Sequence, residues 1–196
     1  MSRPYRGRPS HERSAERRER LVDAGVELVG TGGVNAMTMR AVCRVAGLSQ
    51  KFFYESFADT DALLHEVYRT TLRRAGGIID EAATDSTDAD SRRRVGVDTA
   101  ARLVAEDPRV CRILFVEPIA DQRLRAYVRE SIVELISPEL SPSARRKRVS
   151  VQAKMQYATL FGSIISLFIE WSEGNLGDDR EVFVDHVTDV LEASPT

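Results

Sequence analysis

Apolar residues recur along this chain at steps of three and four, so its elements read as helices. A first helix over residues 10–29 carries Leu21, Ala24/Gly25 and Leu28 on one stripe, with Gly30, Gly32 and Gly33 as its stop. Two short helices follow. Met39, Val42 and Val45/Ala46 make one face of 39–46, and Phe53 and Phe57 sit four apart on the next. A fourth helix, capped by Asp59 or Thr60, carries Leu63, Leu64, Val67 and Leu72 toward Gly76-Gly77 or a little beyond. Beyond a polar, acidic loop at 82–91, helices are predicted over 90–106, from Pro108 to near Pro118, and over 121–137. The longest covers 144–172, and a last one, 179–191, carries Val182, Phe183, Val187, Val190 and Leu191. The fold class is therefore all-α: an N-terminal three-helix unit (11–60) and a larger helical domain (61–196), preceded by an aperiodic arm (1–10) expected to be disordered.

The stretch from Thr38 to Phe57 organises the rest. Thr38 is a good N-cap, and Gly47 supplies the positive φ that a tight interhelical turn demands. Leu48 plugs the angle, and Ser49 is placed to cap the second helix. With Phe53 and Phe57 inward, 100° per residue puts Lys51, Phe52 and Glu55 outward and Gln50, Tyr54 and Ser56 on the flanks. A helix held by another and presenting polar first turns is what the major groove of B-DNA admits.

From Ala158 to Trp171 the long helix is apolar nearly all round, and such a helix must be covered on every side. Gly162 and Ser163 permit close approach amid Leu160, Phe161, Ile164, Leu167 and Phe168. Together with Phe183 and Val187 of the last helix, these residues are expected to form a homodimer interface.

Charge sharpens the picture. Net charge is −2, which argues against polyanion binding by the whole surface, yet the first 20 residues hold seven arginines against three glutamates. Arg13, Arg17, Arg18 and Arg20 either meet phosphates or pair along the helix with Glu12, Glu16 or Glu19. Arg6-Gly7-Arg8-Pro9 matches the core of a minor-groove tripeptide, so Arg6 and Arg8 are further DNA candidates. Cys43 and Cys111 fall on apolar faces as core residues, and His11, His65 and His186 share no ligand spacing, so neither metal nor cofactor is expected. No nucleophile–base pair, paired carboxylates or phosphate loop suggests an enzyme. With no 18-residue apolar run and no secretory signal, the chain is expected to be cytoplasmic and free of membrane.

The block from Leu21 to about Tyr68 resembles the DNA-binding domain of the TetR family of bacterial transcriptional regulators. The matching runs are RERLVDAGVELV, GTGG, TMRAVCRVAGLS, FFYxxF and DTDALL. The resemblance implies Thr38 and Arg40 on phosphate, Gln50, Lys51 and Phe52 at the bases, and Tyr54 on a phosphate oxygen, with Ser49 a further DNA-binding candidate. Glu55 lies on the same face, and pairing with Lys51 one turn away is its preferred role. Three positions depart from the family pattern: where Ala58 and Thr60 stand the family frequently has lysine, and in place of Phe52 often a small polar residue. The resemblance further implies a double-stranded DNA operator, a homodimer joined by its last two helices, and a small-molecule effector in the larger domain. Phe115, Tyr127, Met155, Tyr157 and Trp171 are candidates to line that cavity, with the expected outcome a ligand-released repressor.

Overall fold

The computed structural model describes residues 10–136 and 151–193, and every regular element among them is helical. In order these are α1 (Ser10–Gly32), a single 3-10 turn (Val34–Ala36), α2 (Met39–Ala46), α3 (Gln50–Ser56), α4 (Thr60–Ala82) and α5 (Ala89–Glu106). Then come α6 (Pro108–Cys111), a π-helical turn (Arg112–Val116), α7 (Glu117–Ala120), α8 (Gln122–Ile136), α9 (Val151–Ser172) and α10 (Arg180–Glu192). No described helix is long and apolar enough to cross a membrane.

The end of α1 differs from expectation, and the ends of two other helices show how glycine and proline are accommodated. Helix α1 continues through Gly30 and Gly32, because Gly30 serves packing: a Cβ there would stand 2.5 Å from the Cβ of Arg109. Only Gly33, at φ +78°, leaves the helical region and breaks the chain. Helix α4 runs past Gly76 and Gly77, where nothing lies within reach of a Cβ, and ends at Ala82. The helix begun at Pro108 ends close to Pro118, at Ala120. Proline lacks the N–H owed to the previous turn, and the chain accommodates it by widening into the π turn just before it.

Two apolar cores result. The first joins α1 to α4 with the π turn and α8 through Leu21, Val29, Val42, Phe53, Phe57, Leu63, Val67, Ile113 and Leu124. At its tightest point Gly25 faces Val67, whose Cγ2 would lie 2.5 Å from an added Cβ. The second joins α5, α6, α9 and α10 through Val97, Ala101, Val104, Cys111, Phe168, Trp171, Phe183, Val184 and Val187. Phe115 packs against both cores and stacks at a tilt on Phe168, ring centroids 5.6 Å apart.

The segment 107–117 ties the two cores together by polar contacts. Glu117 is only 6% exposed; it accepts from the Val34 backbone N–H at 3.0 Å and from Arg112 Nε at 3.1 Å. A buried carboxylate is tolerated only when so satisfied. Arg112 also donates to the Thr31 carbonyl at 3.3 Å, and Arg109, lying in the Gly30 notch, reaches Glu27 at 2.6 Å. Hydrogen bonds from the Arg109 guanidinium hold the Asp107 carboxyl below the usual carboxylate range.

Candidate nucleic-acid interface

The helix pair α2–α3 forms as its punctuation demands. Thr38 is extended at φ −87° and ψ 153°, and its hydroxyl oxygen accepts the Ala41 N–H at 3.2 Å. Gly47 takes the left-handed conformation, φ +62° and ψ 37°. Behind it the Leu48 N–H closes onto the Cys43 carbonyl at 3.0 Å, the bond that accompanies a glycine stop. Ser49 occupies the N-cap position of α3, but its side chain makes no cap hydrogen bond, contrary to expectation. Its carbonyl does the work, accepting from Phe52 N–H at 3.0 Å and Phe53 N–H at 3.3 Å, and its side chain stays exposed.

Helix α3 is seated by Phe53 and Phe57, 1% and 5% exposed, with ring centroids 6.1 Å apart. Burying each phenyl contributes about 1.5–3 kcal/mol, enough to fix the rotation of a seven-residue helix that has little stability of its own. Gln50, Lys51 and Tyr54 are exposed as expected, as are Thr38 and Arg40. Phe52 departs from the outward position: it is half-buried, its ring covered by the Arg17 guanidinium at 4.5 Å. Glu55 stands between two cations, 4.0 Å from Lys51 Nζ and 3.8 Å from Arg17 Nη2.

The arginines of α1 reach across to other helices and brace this hairpin. Arg18 lies over the Phe57 ring at 4.3 Å and pairs with Glu66 of α4 at 2.9 Å. Arg20 donates to the Ala46 carbonyl, satisfying an orphan group at the end of α2. Asp59 caps α4, accepting the Ala62 N–H at 2.7 Å. The hairpin is thus braced by Arg17, Arg18 and Arg20 of α1 while Gln50, Lys51 and Tyr54 stay exposed.

Arg6, Arg8 and the side chain of Tyr157 lie outside the described residues. The other effector candidates do not converge on one space. Tyr127 stacks on His65 at 3.9 Å and meets Tyr68 edge-on; Trp171 stacks on Phe183 at 4.6 Å and donates to the Ala101 carbonyl at 3.4 Å. Phe115 belongs to the core, whereas Met155 is 66% exposed. Burial, followed by the neighbouring Tyr127, pushes Tyr68 up to about 12; burial lowers His65 against the opposing pull of Asp61 and Asp59.

The residues expected at the dimer interface divide. Phe168, Phe183 and Val187, 4%, 5% and 0% exposed, are spent on the chain's own second core, because α5 and α6 cover that side of α9 and α10. Leu160, Ile164 and Leu167 are half-buried, and Phe161 and Gly162 remain exposed. Met155 and Val182 are exposed as well, though periodicity had placed Val182 with the core.

Glu117 and Arg112 carry structural roles that periodicity did not single out; the only signal was a carboxylate before a proline in an apolar run. Among the described residues no group of three or more His, Cys, Asp or Glu is placed to hold a metal ion.

Residues 21–67 match the family described as bacterial regulatory proteins, tetR family. No curated protein matches this chain. Solved structures share the fold. The transcriptional regulator FadR from Bacillus subtilis, in complex with stearoyl-CoA, superposes with TM-score 0.66 at 15% identity, covering 91% of this chain and 99% of that one. A putative transcriptional regulator from Streptomyces coelicolor A3(2) gives 0.64 at 21% identity, covering 92% and 99%. The fatty acid degradation regulator FadR from Bacillus halodurans gives 0.63 at 14%, covering 90% and 95%. At such identities the likeness is one of fold, and the family match itself is carried by the motif-bearing N-terminal block, residues 21–67, which is similar to the tetR family of bacterial regulatory proteins.

Proposed function

We propose that this protein is a ligand-responsive, sequence-specific DNA-binding transcriptional regulator, most simply a repressor, acting as a homodimer on a roughly palindromic operator. Residues 11–60 serve as the reading unit and 61–196 as the effector and dimerisation domain. The observation that carries the reading is the exposed Gln50, Lys51 and Tyr54 surface of α3, held rigid by Phe53, Phe57 and the α1 arginines. Gln50 has the chemistry to bond adenine bidentately, Lys51 suits guanine or phosphate, and Tyr54, Thr38 and Arg40 suit phosphate oxygens. Ser49 keeps an exposed side chain for the same surface.

A single α3 spans too few base pairs for specificity, so two copies are needed, with half-sites about one helical turn, ~34–36 Å, or slightly more apart. Support for the homodimer comes from apolar side chains of α9 and α10 that stand in solvent among the described residues: Met155, Phe161 and Val182, 66%, 40% and 64% exposed. The effector is proposed as an organic small molecule taken up by the larger helical unit, opening the packing around Phe115, Tyr127 and Trp171. The stearoyl-CoA of the Bacillus subtilis neighbour makes long-chain acyl-CoA the first class to try.

The test is a gel shift with the DNA upstream of the protein's own gene, repeated with Tyr54→Ala and Lys51→Ala. Loss of one phosphate or base contact should weaken binding by about 1–3 kcal/mol. Absence of a shift on every genomic fragment would instead favour a hairpin that binds another protein.

A further inference from the structure

We propose that Arg17 is the positioning residue of the reading surface: from α1 it holds Phe52 flat and neutralises Glu55, and so decides which side chains of α3 are free to meet bases. The proposal rests on the regulator reading above and goes beyond it, because Arg17 lies on another helix and the sequence offered it only phosphate or a glutamate of its own helix as partners.

Three contacts carry the inference. The Arg17 guanidinium centres 4.5 Å over the Phe52 ring, and the same side chain is 3.8 Å from Glu55 Oε2. Lys51 Nζ is 4.0 Å from Glu55 Oε1. The two cations are not equivalent. Lys51 is 79% exposed and Arg17 only 24%, so on approach of DNA the lysine is free to leave for phosphate or guanine while the arginine stays.

Arg17 then remains as the counter-ion for Glu55. Without it, a bare carboxylate would face the phosphate backbone and be repelled, or would seek cytosine N4–H as a new base contact. The planar guanidinium also lies over the face of Phe52 and covers more of it than a compact ammonium would. Phe52 is thereby kept from thymine methyls, and reading is left to Gln50, Lys51 and Tyr54.

The experiment uses the full chain as wild type, Arg17→Ala, Arg17→Lys, Glu55→Gln and the double variant Arg17→Ala/Glu55→Gln. Each is taken through selection from a random-sequence duplex pool, then titrated with the wild-type-selected duplex over a salt series. Glu55→Gln should bind within about twofold of wild type, whereas Arg17→Ala should lose at least about tenfold, most of it restored in the double variant. Arg17→Ala should also select altered bases opposite α3, and Arg17→Lys, which keeps the charge but not the flat cover, should hold affinity yet shift base preference. Arg17→Lys keeps the test valid should Arg17→Ala fail to fold. A different pattern overturns the proposal alone: additive losses, an unchanged selected sequence, and a salt slope lower by about one, which together mark Arg17 as a plain phosphate contact. If wild type selects no sequence at all, the regulator reading fails and the proposal with it.

Discussion

The hairpin of α2 and α3 and the pair α9 and α10 solve opposite problems with the same kind of helix. In the hairpin, Val42, Phe53 and Phe57 are buried within the chain, and the outward positions of α3 are mostly polar, with Tyr54 the exposed aromatic. Of α9 and α10, one side is equally well buried through Phe168, Trp171, Phe183 and Val187, while Met155, Phe161 and Val182 are left in solvent. The first unit is complete in itself and offers polar groups to an external partner. The second is half complete, and its surplus apolar surface asks for more protein. The proposed dimeric regulator would need both: a rigid head that does not depend on assembly, and a surface that does.

The comparison breaks most severely at Phe53. Phe53→Ala should destabilise the protein by about 3–5 kcal/mol, read by urea unfolding, and abolish DNA binding without altering the sedimentation of the folded fraction. Phe161→Asp probes the other unit. It should leave the secondary structure by circular dichroism unchanged yet convert a dimer to a monomer in light scattering, with operator affinity falling at least about tenfold. A variant that still sediments as a dimer would show that the uncovered side of α9 is not the assembly surface.

A gentler change sharpens the claim that the hairpin is held locally. Thr38→Ala removes the hydroxyl that caps α2 and should cost about 1 kcal/mol, lowering the melting temperature by a few degrees. The smallest effect concerns His65, which joins α4 to α8 through its stack on Tyr127. Burial lowers its folded value, so folding favours the neutral ring. The contribution to stability is present above the ordinary histidine range, near 6.5, and is lost as pH falls through the lowered folded value. Urea titrations across that window should show the fall, and His65→Gln should flatten it.

Much of the reading head was legible before any coordinates. Thr38, Gly47, Phe53 and Phe57 act on neighbours within a few residues, and local signals of that kind survive without knowledge of the rest of the fold. The rest was not legible, because it depends on residues far apart in sequence. Gly30 looked like a helix stop and proved a notch for Arg109; Arg17, Arg18 and Arg20, read as phosphate contacts or as partners of glutamates along α1, proved braces to α3, α4 and α2. Phe168, Phe183 and Val187 carried the same periodicity as Phe161, yet α5 and α6 cover them and leave Phe161 bare. Helical period tells which residues share a stripe, but not which stripe is already covered.

From its residues alone the chain determined its all-helical class, the hairpin and the inward turn of its two phenylalanines, since caps, glycine φ and 3.6-residue spacing act over one or two turns. Tertiary structure alone decided that Glu117 would be buried against Val34 and Arg112, that Phe52 would lie under Arg17, and that one side of α9 would stay uncovered. Those outcomes depend on which distant helices come to lie side by side, and no short-range rule encodes that.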